Sequence, residues 1–148
     1  MLFRSSITGG VHIADKRLNL HPCDLASLQT ECQGLNQIWT NLLDNAIDAA
    51  PQGGTLGIRT WSEQVSIGSQ SEPRTDICVL FRDNGPGIPA EIQSRIFDPF
   101  YTTKPVGVGT GLGLGIVFRI VEQCGGTIRF TSKPGNTEFV VRLPSSKS

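Results

Sequence analysis

The chain of 148 residues carries thirteen basic and thirteen acidic residues, so its formal net charge is zero. This length suits one domain with a single core, and the balanced charge excludes a strong general attraction to nucleic acid or to an anionic membrane. No apolar run approaches the roughly 18 residues of a membrane span, and residues 1–20 lack the apolar segment of a signal peptide. We therefore expect residues 1–148 to form one cytoplasmic domain that contacts neither nucleic acid nor membrane.

The chain contains four cysteines, Cys23, Cys32, Cys78 and Cys124, which lie far apart in the sequence. They form no Cys-x-x-Cys pair, and no histidine stands nearby at ligand spacing. Buried, reduced thiols are therefore expected rather than a zinc site.

The first clear element in chain order is a helix over Leu35–Ala50, which Pro51 and the pair Gly53-Gly54 end. Residues 1–30 before it are irregular, with an exposed strand predicted over Val11–Arg17 and an extended piece over Leu25–Thr30. At about 100° per residue, one side of the helix is apolar and the other polar. The apolar side consists of Leu35, Trp39, Leu42, Leu43, Ala46 and Ala50, and the polar side of Gln37, Asn41, Asp44, Asn45 and Asp48.

The rest of the chain alternates strands, glycine-rich turns and one more helix. Asp76–Arg82 is almost entirely apolar, which is typical of a strand covered on both faces. Further strands are predicted over Thr55–Thr60, Thr127–Thr131 and Thr137–Leu143, loops over 62–75 and 98–111, a helical turn after Pro89, a helix over Leu112–Gln123 and a frayed tail over 144–148.

The polar side of the first helix carries a stripe formed by Asn41, Asn45 and Asp48. Such a stripe is most often a solvated surface. Asparagine, however, is a poor helix former, roughly 0.5 kcal/mol worse than alanine, so two asparagines one turn apart favour a binding surface. Amide and carboxylate oxygens suit Mg²⁺, which proteins hold with few side chains together with phosphate groups. The stripe therefore indicates a magnesium site, with a solvated surface as the alternative.

The strand over Asp76–Arg82 runs directly into Asp83-Asn84-Gly85-Pro86-Gly87. An ionised aspartate accepts hydrogen bonds but donates none, so it can take the amino group of adenine and reject the keto group of guanine. The glycines allow backbone to approach a flat ring closely. An ordinary Asp-Asn-Gly turn is the alternative.

Glycines alternate with other residues from Gly107 to Gly115 and lead into the second helix. Consecutive N–H groups at a helix start form an anion site suited to a polyphosphate. No Gly-Lys-Ser/Thr sequence occurs, and the Gly-x-Gly-x-x-Gly register fails, so neither of the two common phosphate loops is present. A mobile surface loop is the alternative.

Taken in order, these segments resemble the histidine-kinase ATP-binding domain, from about residue 33 to 143. The match to four ordered boxes is specific, whereas each box alone is weak. The segments are Asn41–Ala49 (N box), Asp83–Pro89 (G1 box), Arg95–Phe100 (F box), Gly109–Leu114 (G2 box) and a closing-strand motif, Gly135–Phe139. The runs Asn41–Ala50 and Tyr101–Leu114 are most similar to the nitrogen-regulation sensors.

The resemblance implies the Bergerat fold, an α/β two-layer sandwich whose mixed, mostly antiparallel sheet is covered on one face by about three helices. It also implies ATP and Mg²⁺ as ligands, with residues 98–111 as a lid over the nucleotide. Asp83 is then expected to hold the adenine amino group, Thr137 to assist directly or through a water, Asn45 to coordinate Mg²⁺, and Asn41 and Lys104 to act at the phosphates. The remaining residues expected at the nucleotide are Asp48, Gly85, Gly87, Ile88, Phe97, Gly109, Thr110, Gly111, Leu112 and Gly113. Phe97 and Phe100 are expected to form the hinge of the lid, with core packing as the alternative.

Asn41 stands where gyrase-like and chaperone-like relatives of this family place a water-activating glutamate. An asparagine is no base near neutral pH, which fits a kinase that transfers phosphate to a protein and avoids hydrolysis. The resemblance further implies a histidine-bearing hairpin domain as partner and a response regulator downstream. Neither His12 nor His21 lies in a suitable helix, so a separated, monomeric catalytic domain is expected, without the hairpin and sensor domains. A hydrolysing conformational ATPase, a non-catalytic nucleotide-binding scaffold and an anti-sigma-type serine kinase are the alternatives.

Overall fold

The computed structural model describes residues 7–14, 17–18, 34–49, 54–66, 68–69, 73–98 and 113–145, the first two ranges as backbone. The strands are β1 (Ile7–Ala14), β2 (Arg17–Leu18), β3 (Thr55–Val65), β4 (Arg74–Asp83), β5 (Thr127–Lys133) and β6 (Asn136–Pro144). The helices are α1 (Leu35–Ala49), a 3-10 helix (Ala90–Arg95) and α2 (Gly113–Gln123).

The six strands form one sheet in the order β2-β1-β3-β4-β6-β5, and every pair of neighbours is antiparallel. Both α-helices pack on each other, α1 also packs on β4, and α2 also packs on β5 and β6. The result is the two-layer sandwich that the sequence predicts, and within the described strands it contains no parallel pair.

Helix α1 begins after Gly34, whose carbonyl accepts hydrogen bonds from the N–H groups of Gln37 and Ile38. Its apolar side turns towards the sheet, and the ring of Trp39 stacks on that of Phe81 with centroids 5.8 Å apart. Ile38 is fully buried as well, although it lies outside the apolar stripe predicted from the sequence. The buried face is therefore wider than the stripe, because α2 covers α1 from a second direction.

The core lies between the helices and one face of the sheet, where strand alternation aligns apolar side chains in rows across β3, β4 and β6. Phe81 stands between Ile58 and Phe139, and Val79 stands beside Val141. Each of these side chains is less than a tenth exposed. Because burial of apolar area drives folding, these rows position the ends of β4 and β6, where the polar residues described below are found.

Helix α2 presents Val117 and Val121 to the core, both fully buried. It ends where Gly125 adopts a φ of 74°, a left-handed conformation that glycine accepts without strain. The N–H of the next residue, Gly126, donates a hydrogen bond to the carbonyl oxygen of Val121 at 2.9 Å. Helices commonly end with this hydrogen bond. The predicted helix over Leu112–Gln123 is thus confirmed from Gly113 onward, and Leu112 lies outside the described residues.

The loop predicted over residues 62–75 is shorter in the structure, because β3 continues to Val65 and β4 starts at Arg74. The sequence is polar there because this end of the sheet carries charged pairs on the face turned away from the helices. Glu63 accepts hydrogen bonds from Trp61 at 2.9 Å and from Arg142 at 2.7 Å. The contact with Arg142 crosses from β3 to β6, and such pairing holds polar residues in extended structure, which a polar composition by itself does not indicate.

Two cysteines lie within the described residues. Cys78 is a free and fully buried thiol, and its burial raises its pKa to about 11, as expected for a reduced cysteine. Cys124 is disulfide-bonded, so the prediction of reduced thiols is wrong for this residue. No helix in the described part of the chain is long and apolar enough to cross a bilayer.

Candidate nucleotide-binding site

The last residue of β4, Asp83, belongs to a polar row at the end of the sheet. The register pairs Asp83 with Thr137 of β6, and Thr137 with Ser132 of β5. Alternation along β4 places Asp83 on the same face as Phe81, which is the face that the helices cover. Asp83 and Thr137 are each only 4% exposed, so these polar groups lie at the edge of the apolar core.

The carboxylate of Asp83 is only partly engaged by the protein. Its Oδ1 accepts a hydrogen bond from the N–H of Gly85 at 3.0 Å, whereas its second oxygen receives none from the residues that the structure describes. Burial raises the pKa of Asp83 above its ordinary value, and the hydrogen bond from Gly85 opposes this shift in part. Because a buried, partly satisfied carboxylate is costly, this group is suited to receive a donor from a ligand.

The turn after Asp83 is held tightly between two other segments of backbone. A Cβ atom on Gly85 would lie 2.5 Å from the carbonyl oxygen of Ala49, at the end of α1. Gly87 has a φ of 87°, and a Cβ there would lie 2.8 Å from the carbonyl carbon of Lys133. The sequence suggested that these glycines permit close approach of a flat ring. In the structure the close approach is to neighbouring backbone, and it brings α1, the turn and β5 together.

Ile88 completes this turn and connects it to the polar row. Its N–H donates to Oγ of Ser132 at 2.7 Å, and Ser132 Oγ lies 2.8 Å from Oγ1 of Thr137. Ser132 is not among the residues predicted from the sequence. The tight turn at Pro134 and Gly135 could have revealed it, because a short hairpin that places Thr137 on the inner face also places Ser132 opposite it.

The polar stripe of α1 is partly buried rather than solvated. Asn41 donates from Nδ2 to the carbonyl oxygen of Gly113 at 3.1 Å, so it contacts the start of α2. Asn45 is more unusual, since its Nδ2 atom is buried without a hydrogen-bond partner in the described part of the chain. Asp48 is exposed on the surface of the same helix.

An orphaned buried amide fits a site that a ligand completes. Buried side-chain polar atoms nearly always have a partner, and an amide offers both an oxygen that suits Mg²⁺ and two N–H donors that suit phosphate oxygens. Asn45 lies one helical turn before Ala49, and the carbonyl of Ala49 lies against Gly85. The Asn45 amide is therefore on the segment of α1 next to the turn after Asp83. The residues present therefore fit a metal–nucleotide ligand.

Three residues of the glycine-rich segment lie within the described residues, Gly113, Leu114 and Gly115, all in the first turn of α2. A Cβ at Gly113 would meet no atom within 4 Å, so packing against the described residues does not require a glycine there. Five predicted nucleotide-binding residues lie outside the described residues, namely Lys104, Gly109, Thr110, Gly111 and Leu112. Phe100, the other predicted hinge residue, lies outside them as well.

Phe97, predicted either as a lid hinge or as a packing residue, belongs to an aromatic cluster. Its ring centroid lies 5.3 Å from that of Phe118 and 5.8 Å from that of Phe130. The structure therefore supports the packing interpretation for Phe97.

We expect Phe97→Leu to lower the free energy of unfolding by about 1 kcal/mol, because each aromatic pair contributes about 0.5–1.5 kcal/mol beyond its buried area. Urea unfolding measures the change, and Phe118→Leu, which removes one ring of the same pair, is the matched control. Unchanged stability in Phe97→Leu would contradict a packing role and favour the hinge.

Comparison with known proteins agrees with this geometry. Residues 31–147 match the family described as histidine kinase-, DNA gyrase B-, and HSP90-like ATPases. The chain belongs to this family. It is 39% identical over 130 residues to the sensor kinase CckA of Brucella abortus, covering 84% of this chain and 14% of that protein. It is 43% identical over 115 residues to the sensory histidine kinase/phosphatase NtrB of Azospirillum brasilense, covering 74% of this chain and 28% of that protein.

A solved structure indicates which type of protein within this family the domain resembles. A mycobacterial sensor histidine kinase structure, MprB, is 32% identical, with a TM-score of 0.57 and coverage of 75% of this chain and 70% of that one. The domain is therefore of the sensor histidine kinase type within this family, and the predicted Bergerat fold is confirmed. The chain spans less than a third of the length of CckA and of NtrB.

Proposed function

We propose that the domain binds Mg²⁺-ATP and transfers its γ-phosphoryl group to a histidine on a phosphoacceptor hairpin domain, in a cytoplasmic two-component pathway that continues to a response regulator. The observation that carries the proposal is Asp83, a buried carboxylate with one oxygen that receives no hydrogen bond from the described residues. Family membership supports ATP as the nucleotide.

Adenine recognition follows from the polarity of the two buried groups at the end of the sheet. Asp83 accepts from the amino group of adenine, and Thr137 donates its hydroxyl proton, directly or through a water, to the adjacent ring nitrogen. Guanine presents a keto oxygen to Asp83, so this contact would become repulsive. Gly85, Gly87 and Ile88 fix the turn that holds Asp83 in place.

The phosphates extend from this subsite along α1 towards the start of α2. Asn45 would coordinate Mg²⁺ through its amide oxygen, with Asp48 farther along the same helix and Asn41 nearer the phosphates. The metal ion supplies charge neutralisation at the transferring phosphate. Gly113 and, outside the described residues, Lys104, Gly109, Thr110, Gly111 and Leu112 would surround the triphosphate.

Transfer requires positioning and charge stabilisation more than a protein base. A neutral histidine of the hairpin domain attacks phosphorus with a ring nitrogen, the bond to the bridging oxygen breaks, and ADP leaves. Asn41 cannot accept a proton near neutral pH, and its amide donates to the carbonyl oxygen of Gly113. Water is therefore not activated by this residue, which favours transfer over hydrolysis.

The direct test is to mix the monomeric domain with radiolabelled ATP, Mg²⁺ and a panel of histidine-bearing hairpin domains. We expect acid-labile phosphate on at least one hairpin and only slow release of free phosphate. We expect no stable label on the domain itself, because His12 lies on a strand, β1, rather than on a helix.

Rapid, hairpin-independent ATP turnover would contradict the kinase proposal and favour a hydrolysing ATPase. Acid-stable label on a serine of an added protein would point to a serine kinase. ATP binding without transfer to any hairpin would favour a scaffold.

A further inference from the structure

The hydroxyl of Ser132 connects two parts of the candidate site and has no role in the proposed function as stated above. Ser132 lies on β5 directly opposite Thr137 of β6. Its Oγ is 2.8 Å from Thr137 Oγ1 and 2.7 Å from the backbone nitrogen of Ile88. It therefore touches both the residue beside Asp83 and the turn that follows Asp83.

The direction of the hydrogen bond between the two hydroxyls decides what Thr137 can offer to a ligand. A hydroxyl has one proton to donate and two lone pairs that accept. If Thr137 donated to Ser132, its only proton would be used within the protein. If Ser132 donates instead, the Thr137 proton is free for a ligand.

The contact with Ile88 favours the second arrangement. A backbone N–H can only donate, so Ser132 accepts this hydrogen bond. Accepting a hydrogen bond polarises a hydroxyl and makes it a stronger donor to the next group in the chain of bonds. The cooperative arrangement is therefore the one in which the Ile88 N–H donates to Ser132 and the Ser132 hydroxyl donates to Thr137. In this arrangement the Thr137 proton points away from Ser132.

We propose that Ser132 is a positioning residue of the adenine subsite, which orients the Thr137 hydroxyl as a donor beside the Asp83 acceptor. This inference rests on the proposed function. Directly opposed residues of neighbouring strands hold their Cβ atoms about 4.5–5.5 Å apart, so the Asp83 acceptor and the Thr137 donor stand side by side. Adenine offers the complementary pair, an amino donor next to a ring-nitrogen acceptor.

The experiment uses the full chain and isothermal titration calorimetry with two nucleotides, ATP and 1-deaza-ATP, in which carbon replaces that ring nitrogen. Ser132→Ala should weaken ATP binding by about two- to tenfold, the effect of one net hydrogen bond. The same variant should bind 1-deaza-ATP as the unmodified protein does. Adding Ser132→Ala to Thr137→Val should cause no further loss of ATP affinity.

A second set of variants separates positioning from simple folding effects. Ser132→Thr keeps the hydroxyl and should retain most of the preference for ATP over 1-deaza-ATP. Thr131→Ala, an exposed neighbour on the opposite face of β5, is the control and should change neither affinity. If Ser132→Ala does not fold, Ser132→Cys provides the same comparison, since a thiol fills a similar volume but donates weakly.

Equal loss for both nucleotides would overturn the inference, as would additive losses in the double variant, because Ser132 would then only hold the turn through Ile88. Loss of the ATP preference in Ser132→Thr would overturn it as well. Failure of the unmodified protein to bind ATP is a distinct outcome that contradicts the proposed function itself.

Discussion

Asp83→Ala is expected to weaken ATP binding by about ten- to a hundredfold, because the loss of a hydrogen bond to a charged group costs about 1.5–3 kcal/mol. Asp83 is 4% exposed, and among the described residues only Gly85 donates to its carboxylate, so its second oxygen is left to accept from the adenine amino group. Calorimetry with ATP and GTP measures the effect. The unmodified protein should prefer ATP strongly, and Asp83→Ala should lose most of that preference.

Asp83→Asn is the matched variant, because an asparagine keeps the shape and can still accept from the Gly85 N–H. Its amide N–H groups would face the adenine amino group, so ATP affinity should fall about as far as in Asp83→Ala. Equal ATP affinity in the unmodified protein and either variant would contradict the assignment of Asp83.

Asp83→Asn should lower ATP affinity but raise the free energy of unfolding. Burial raises the pKa of Asp83 in the folded protein, so the folded state binds this proton more tightly than the unfolded state. Protonated Asp83 therefore contributes to the free energy of unfolding at low pH. This contribution is lost as the pH rises from the ordinary pKa of an aspartate through the raised pKa of the folded protein. Without nucleotide, Asp83→Asn should unfold at a higher urea concentration than the unmodified protein at neutral pH. This difference should shrink below the ordinary pKa.

Asn45→Ala is expected to slow transfer to the hairpin domain by a factor on the order of 10²–10³, comparable with the loss of one preorganised electrostatic contact in other enzymes. The reason is that Asn45 would hold the metal ion that neutralises the transferring phosphate. Transfer rates over a series of Mg²⁺ concentrations measure the effect. ATP binding in the presence of a chelator should change much less.

Asn36→Ala is the control for this variant, since Asn36 is exposed on the same helix. It should leave the transfer rate unchanged. The Asn45 amide nitrogen is buried without a hydrogen-bond partner in the part of the chain that the structure describes, and alanine is the better helix former. Asn45→Ala should therefore be at least as stable as the unmodified protein without nucleotide. A normal transfer rate in Asn45→Ala would show that Asn45 is not the metal ligand.

Local pattern was sufficient to predict most of the elements that form the site. The periodicity of α1 and the apolar run of β4 are visible within a few turns or residues, and both elements occur where predicted. The acidic residue after a buried strand and the glycines that follow it marked the end of β4 as a site. These features were accessible because a helix or a buried strand is specified largely by residues adjacent in sequence.

The tertiary structure decided how these elements meet. The extension of β3 to Val65 depends on its pairing with β4, and Glu63 on β3 is bound by Arg142, which lies 79 positions away in the chain. The crowding of Gly85 depends on Ala49, and the contact of Asn41 depends on Gly113.

The sequence by itself therefore determined the candidate groups of the site: an acceptor at Asp83, amides on α1 and a glycine-rich segment before α2. Only the tertiary structure decided that Ser132 joins Thr137 to the turn after Asp83 and that Phe97 packs among aromatic rings. It also decided that Nδ2 of Asn45 is buried with no hydrogen-bond partner among the described residues. The physical reason is that hydrogen bonds and burial depend on distance in space. Residues far apart in the chain become neighbours only through strand register and helix packing, which no local periodicity encodes.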